Sequence, residues 1–440
     1  MFSALKRTFK IKSLRTRILF TFLMIILVRI GSQIPIPGLN MEIFRQWWES
    51  NNNGFMSMLS SLTGGSFERF SIFALGITPY ITSSIVLQLL AVVFPSIEEM
   101  QKDGNYGKQK FEWLTAGVAI GLSILQAVAI TINFNRTGFI PNFNAGKCIL
   151  IVILLVGGEA LLILMGKAID KKGIGNGISI ILAANIIAEI PGSLRNLIVN
   201  FTTEKSIPLK ILACVIIFAV IALTIILVVI INEAHRKIAI HYSQKFNGSV
   251  LSRGVQSFIP IKVNVAGVMP VIFASSLLTI PQLITSFIGK GNSNFFIRML
   301  DQNNWFDFSK PQYSIGIILY IAMLYFFGFY YTSIAFNPKQ VSADLKKSGG
   351  TIPGIRQGEQ TAAYLGKIIN RLVFIGTTWL AVLVLIPTFF NGAFHANVSF
   401  GGTSLIIVVG VITETLEKID AELKSRNYNE GFLLGKGKQR

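Results

Sequence analysis

The chain has 440 residues, 52% of them hydrophobic and 14% charged, with a formal charge of +19. A mean hydropathy of +0.59 excludes an ordinary soluble domain. The basic excess is what insertion orientation and anionic lipid demand, so it calls for no nucleic-acid partner.

In chain order, residues 1–17 form a basic, amphipathic N-terminus. Ten apolar runs follow, at 18–34, 72–94, 114–134, 148–165, 178–190, 209–231, 265–288, 314–336, 368–390 and 404–415. Helices of about 20 residues cross a ~30 Å hydrocarbon core, so the reading is an all-α polytopic membrane protein with ten spans. The first run follows six basic residues, as a signal peptide would. Ile34-Pro35-Ile36-Pro37-Gly38 stands where a small-residue cleavage site belongs, so the run is read as a membrane helix. Ten spans put both ends on one side. Of the 40 Lys and Arg, 29 fall in the N-terminus, the 416–440 tail and the loops on that side, and 10 fall on the other. This bias makes both termini cytoplasmic. Two of the inner loops, 232–264 and 337–367, are long enough to be docking surfaces rather than plain topology signals.

One pattern occurs twice. Gly76-Ile77-Thr78-Pro79-Tyr80-Ile81-Thr82-Ser83-Ser84 and Gly267-Val268-Met269-Pro270-Val271-Ile272-Phe273-Ala274-Ser275 both read Gly-x-x-Pro-x-Ile-x-x-Ser. Gly and Pro loosen a helix, and the bilayer tolerates that only against protein or a wet cavity. The copies open the second and seventh spans. An odd displacement inverts the second copy, which predicts two inverted five-helix halves, 18–200 and 201–415, with a pathway between them. Ile77 and Ile81 share a helix face, and Ile272 is the counterpart of Ile81. An apolar constriction gates by dewetting; ordinary helix packing uses the same residues, and the pattern alone favours packing.

Ionisable groups inside spans are few. Arg29 sits near the outer end of the first span, where it snorkels or pairs, and Glu159 lies near the centre of the fourth, where pairing across helices is favoured over a polar path. Such scarcity argues against an ion-coupled transporter. No Ser/His, Asp/Asp or metal constellation marks the spans, so no enzyme is expected, and no cofactor. Without a Gly-x-x-x-x-Gly-Lys-Ser/Thr loop, any work on a substrate is powered from outside. Cys148 and Cys214 read as packing residues, and His235, His241 and His395 as solvated loop residues. Between the first two spans, residues 55–62 are apolar at helical spacing and precede Thr63-Gly64-Gly65-Ser66. Such a helix lies on the outer surface or folds back as a stopper; periodicity favours the surface.

Ser71-Ile72-Phe73-Ala74-Leu75-Gly76-Ile77-Thr78-Pro79-Tyr80-Ile81, running on to Gln88, resembles the second-span signature of the SecY family of bacterial protein-translocation channels. Lys172-Gly173-Ile174-Gly175-Asn176-Gly177-Ile178-Ser179, Asn264 to Pro270 with Ile272 to Ser276, Pro353 to Thr361, and Phe400 to Leu405 resemble further motifs of that family, in order along the chain. The resemblance implies a clamshell of two pseudo-symmetric halves in the cytoplasmic (inner) membrane. It implies a lateral gate between the second and seventh helices, to which Ser84, Gln88 and Ser275 contribute. A plug over about 55–69 follows from it as well, with Phe55, Met58, Leu59, Leu62, Gly64 and Gly65. So does an aliphatic pore ring of Ile77, Ile81, Ile186, Ile272 and Ile407, with Leu182 one turn before Ile186. Arg356, joined by Arg236 and Arg253, becomes the contact for a SecA motor ATPase or the ribosome, an Arg fork suiting phosphates and carboxylates alike. SecE-like and SecG-like subunits, an unfolded preprotein and membrane lipid complete the implied partners, with no DNA. The chain departs from the family at Gly166-Lys167, where the family carries Gly-Glu, and at Glu159.

Overall fold

Each of the ten apolar runs lies on a helix in the computed structural model, which describes residues 11–51, 54–202, 207–242, 246–247, 250–251, 256–288, 295–306, 311–394 and 402–435. The elements in order are α1 (Lys12–Gly31), α2 (Met41–Asn51), α3 (Gly54–Thr63), α4 (Thr78–Val93), α5 (Pro95–Lys102), α6 (Gly104–Arg136), α7 (Ala145–Lys172), α8 (Gly177–Thr202) and α9 (Ile207–Glu233). Then come β1 (His235–Tyr242), β2 (Phe246–Asn247), β3 (Val250–Leu251), β4 (Gln256–Lys262), α10 (Met269–Ile288), α11 (Phe295–Leu300), α12 (Ile315–Ala335), α13 (Pro338–Ser348), β5 (Gly350–Thr351), α14 (Glu359–Phe394) and α15 (Gly402–Gly435). By length and apolarity alone, α6, α7, α8, α9, α12 and α14 can cross a membrane. The helix α1 carries four basic residues, three of them before its apolar run, α10 is shorter, and the charges of α15 all fall from Glu414 onward. Cys148 and Cys214 are free.

The repeat starts helices instead of loosening them. Gly76 and Gly267 both take left-handed backbone, φ +61° and +64°, and in each copy the helix begins two residues later. The prolines therefore fall in the first turn, where a missing N–H breaks no helical bond. The expected spans 72–94 and 265–288 are shortened accordingly, their first residues forming turns. At its other end α4 stops at Phe94-Pro95, and α5 leaves at 115° to it.

Helix packing follows the same plan twice. In the first five spans α4 packs on α6, α6 on α7, α7 on α8, and α1 on both α7 and α8. Among the last five, α10 packs on α12, α12 on α14, α14 on α15, and α9 on both α14 and α15. Each contact of the first set has its counterpart at the same span positions in the second. The sets meet where α10 touches α4 and α6 and where α8 touches α9 and α15.

A small sheet stands outside the all-α expectation. β4, β1 and β5 form three antiparallel strands in that order, with Arg236 opposite Ile261 and His241 opposite Thr351. The two long loops are thus one structure. Alternation along His235-Arg236-Lys237-Ile238-Ala239-Ile240 buries the isoleucines, and Ile238 and Ile261 pack on Ile352, Leu365, Ile368 and Leu372. On the opposite end of the molecule, Phe44, Trp48, Phe67, Phe70, Phe134 and Phe139 form an aromatic cluster around α2.

Candidate functional site

Four elements contribute the expected ring residues to one large apolar core, called the waist. Ile77 precedes α4, Ile81 lies one turn inside it, Ile186 and Leu182 project from α8, Ile272 from the first turn of α10, and Ile407 from α15. All six are buried in one hydrophobic cluster. The same cluster takes in Val268, the counterpart of Ile77 in the repeat, which sequence reasoning missed. Aligning the two copies would have found it. Close approach explains its neighbour: a Cβ on Gly410 would fall 2.0 Å from Val268 Cγ1.

On the side carrying the sheet, the waist opens to a cavity of about 350 Å³ whose walls include Asn176, Ser179, Asn232, Asn264, Tyr331 and Thr413. Asn264 fixes one wall by donating to Asn232 Oδ1 at 2.9 Å and to the Gly267 carbonyl at 3.0 Å. At the mouth Lys262 pairs with Glu417.

On the other side lies α3. Its C-terminus closes by a Schellman motif, Gly65 N–H donating to Ser60 O at 2.9 Å and Gly64 N–H to Ser61 O at 3.3 Å. That requires left-handed backbone at Gly64, which has φ +65°. Thr63 then abuts the waist: a Cβ on Gly76 would lie 2.8 Å from Thr63 Cγ2. The folded-back position replaces the surface helix that periodicity favours. Leu59 is buried and Leu62 partly so, packed on the apolar cluster. The side chains of Phe55 and Met58 lie outside the described residues.

The remaining expected positions divide. On α4, Gln88 Nε2 donates to Ser84 Oγ at 3.1 Å, and Tyr330 of α12 donates to the Gln88 carbonyl. Ser275, buried in α10, spends its hydroxyl on Val271 O of its own helix at 2.8 Å. Arg236 and Arg356 are exposed, Arg236 on β1 and Arg356 in the turn after β5. That turn is pinned by Thr361 Oγ1 donating to Arg356 O at 2.8 Å and Gln357 Nε2 to Gly350 O at 3.2 Å. Arg253, His395 and Phe400-Gly401 lie outside the described residues.

The family model described as SecY matches residues 71–416. The chain belongs to the SecY family. The protein translocase subunit SecY of Thermotoga maritima is 36% identical over 449 residues, covering 100% of this chain and 99% of that protein. Its counterpart from Bacillus subtilis is 37% identical over 441 residues, covering 98% and 100%. Among solved structures, "The structure of a protein conducting channel" matches with a TM-score of 0.64 at 20% identity, over 93% of this chain and 92% of that one. "Sec61 in the Canine ribosome-channel complex from the endoplasmic reticulum" matches with a TM-score of 0.60 at 19% identity, over 93% and 92%. At that identity these two report the shared fold.

Within the SecY frame, the lysine at one of the two departures has a partner in the fold. Lys167 stands over the Trp113 ring of α6, 3.9 Å from its centroid, a cation–π contact. The neighbouring Gly166 faces Gly177: a Cβ on Gly177 would lie 2.0 Å from Gly166 O. Asp170 Oδ1 accepts from Gly177 N–H at 2.7 Å and Asn176 Oδ1 from Ser179 N–H at 3.3 Å, capping α8. Glu159 is 1% exposed, with neither carboxyl oxygen hydrogen-bonded among the described residues.

Proposed function

We propose that the chain is the channel-forming subunit of a protein-translocation machine in the bacterial cytoplasmic membrane. It passes unfolded preproteins across and releases apolar segments sideways into lipid. The observation that supports this is that Ile77, Ile81, Ile186, Ile272 and Ile407 share one buried apolar cluster, which we read as a closed waist between a cavity on the sheet side and the short helix α3. Such a ring offers a moving chain no polar group to stick to, while its closure dewets and stops ions.

In this reading residues 18–200 and 201–415 are the two halves of the clamshell, supported by the doubled repeat and the doubled packing plan. α4 and α10 form the lateral gate, and α3 with Gly64 and Gly65 is the plug. The gathering of Lys and Arg in the loops on the side of the termini supports a cytoplasmic location for both. Arg356 and Arg236 project from the sheet end as the docking surface for a SecA motor or a ribosome, which supplies the energy. SecE-like and SecG-like subunits brace the halves, and the chain carries out no catalysis itself.

The test is photo-crosslinking from Ile81, replaced by a photoreactive residue, to a preprotein stalled part-way through reconstituted vesicles. Crosslinks to the middle of the preprotein that disappear without the motor or ribosome are expected. Export by the same vesicles with no crosslink at Ile81 would make the ring mere packing.

A further inference from the structure

Arg29 has no place in the function so far, yet it is a cation near the end of a membrane span. Its guanidinium reaches past α1 to the end of α3, where Nη1 donates to the Gly64 carbonyl at 3.0 Å. The approach is tight on every side. A Cβ on Gly64 would fall 2.5 Å from Arg29 Nη1 and 2.9 Å from Asn185 Cα, and one on Gly65 would fall 3.1 Å from Glu189 Oε2. The glycine pair is therefore seated in a cradle built by α1 on one side and α8 on the other. Glu189 is close enough for its charge to act on Arg29, and Arg69 and Glu68 join the same field. A helix C-terminus carries partial negative charge, so a cation there is favourable. A charge-assisted bond to one of its free carbonyls is roughly twice as strong as a neutral one.

We propose that Arg29 is the latch of the plug, a positioning residue that holds α3 in the closed seat through the Gly64 carbonyl, with Glu189 balancing its charge. The inference rests on reading α3 as the plug. Among the described residues, the other close approaches at this seat are steric, Gly64 against Asn185 and Thr63 against Gly76. The Arg29–Gly64 hydrogen bond is the polar contact that an arriving chain breaks by pushing α3 away from α1. Losing it shifts the plug toward the open position without touching the ring.

The experiment measures halide influx into vesicles holding the full chain, alongside motor-driven translocation of a preprotein. Four proteins are compared: the native chain, R29M, R29Q and a chain lacking residues 55–62. For R29M the expected result is a resting leak raised about tenfold, as losing a hydrogen bond to a charged group implies, with translocation at or above the native rate. A merely structural role for Arg29 would instead raise the leak and lower translocation together, and that result overturns the latch. A native leak in R29M beside a leaky deletion overturns the latch and leaves the plug intact. If the deletion is also tight, the plug reading itself fails. Should R29M not accumulate, R29Q is judged by the same criteria, since it too lacks the charge.

Discussion

Tyr330 donates its hydroxyl to the backbone carbonyl of Gln88, joining α12 to α4 directly beside the Gln88–Ser84 side-chain bond. Because α12 also packs along α10, this bond bridges the two flanks of the proposed gate. Phenylalanine at 330 keeps the ring and removes the donor, leaving closure weaker by about 0.5–1.5 kcal/mol. Y330F is expected to raise lateral insertion of a marginally hydrophobic segment by up to about tenfold, measured by glycosylation or protease mapping of the inserted segment. An unchanged insertion threshold would remove this bond from gating.

The contact between Gly166 and Gly177 leaves no room for a side chain at 177, where a Cβ would meet the Gly166 backbone. G177A drives a methyl into a backbone carbonyl, and overpacking of this kind costs about 1–3 kcal/mol. The thermal midpoint of the detergent-solubilised chain should fall. A midpoint equal to that of the native chain would show that α7 and α8 are free to part.

Arg356 is exposed on a turn pinned by the Thr361 and Gln357 side chains rather than by its own, so its removal leaves the fold alone. R356E is expected to weaken motor or ribosome binding by more than about tenfold, the cost of losing an arginine anchor of about 2 kcal/mol. Resting leak and melting stay native. Binding measured by co-sedimentation decides the matter: native affinity in R356E moves the docking surface elsewhere.

Glu159 gives the cleanest separation from a solute carrier. An ion-coupled cycle running through it needs a group that ionises. E159Q has the same shape and does not, so its preprotein translocation is expected to stay within about twofold of native, a difference under about 0.5 kcal/mol. Translocation abolished in a chain that assembles normally would instead place Glu159 at the centre of a coupled transport cycle.

The membrane helices were readable because each apolar run is long and locally determined, but the starts of α4 and α10 were set too early, since the Gly and Pro read as loosening a span belong to the turn and first turn that open it. The sheet was harder to see. β1 alternates correctly, but its isoleucines are interleaved with basic residues that read equally well as a solvated loop, and its second partner, β5, is two residues long and far away in the chain. The position of α3 was ambiguous for a different reason. A short apolar helix suits a membrane surface as well as a protein interior, and the contacts that decide are a backbone carbonyl held by Arg29 and a methyl of Thr63 against Gly76. No local pattern encodes either. The ring isoleucines needed the resemblance, since aliphatic residues at helical spacing are the commonest feature of any packed span.

The sheet between the long loops has a mechanical consequence. β4 ends at Lys262 and α10 begins at Met269, so only a short, tethered stretch separates the strand from the helix. Asn264 clamps that stretch to Asn232, and the far strand, β5, leads through a pinned turn into α14. A load applied to any one strand is borne by the hydrogen-bonded ladder as a whole. It arrives at α9, α10 and α14 together, so a partner that grips this face tilts a lever whose short arm is the helix lining the waist.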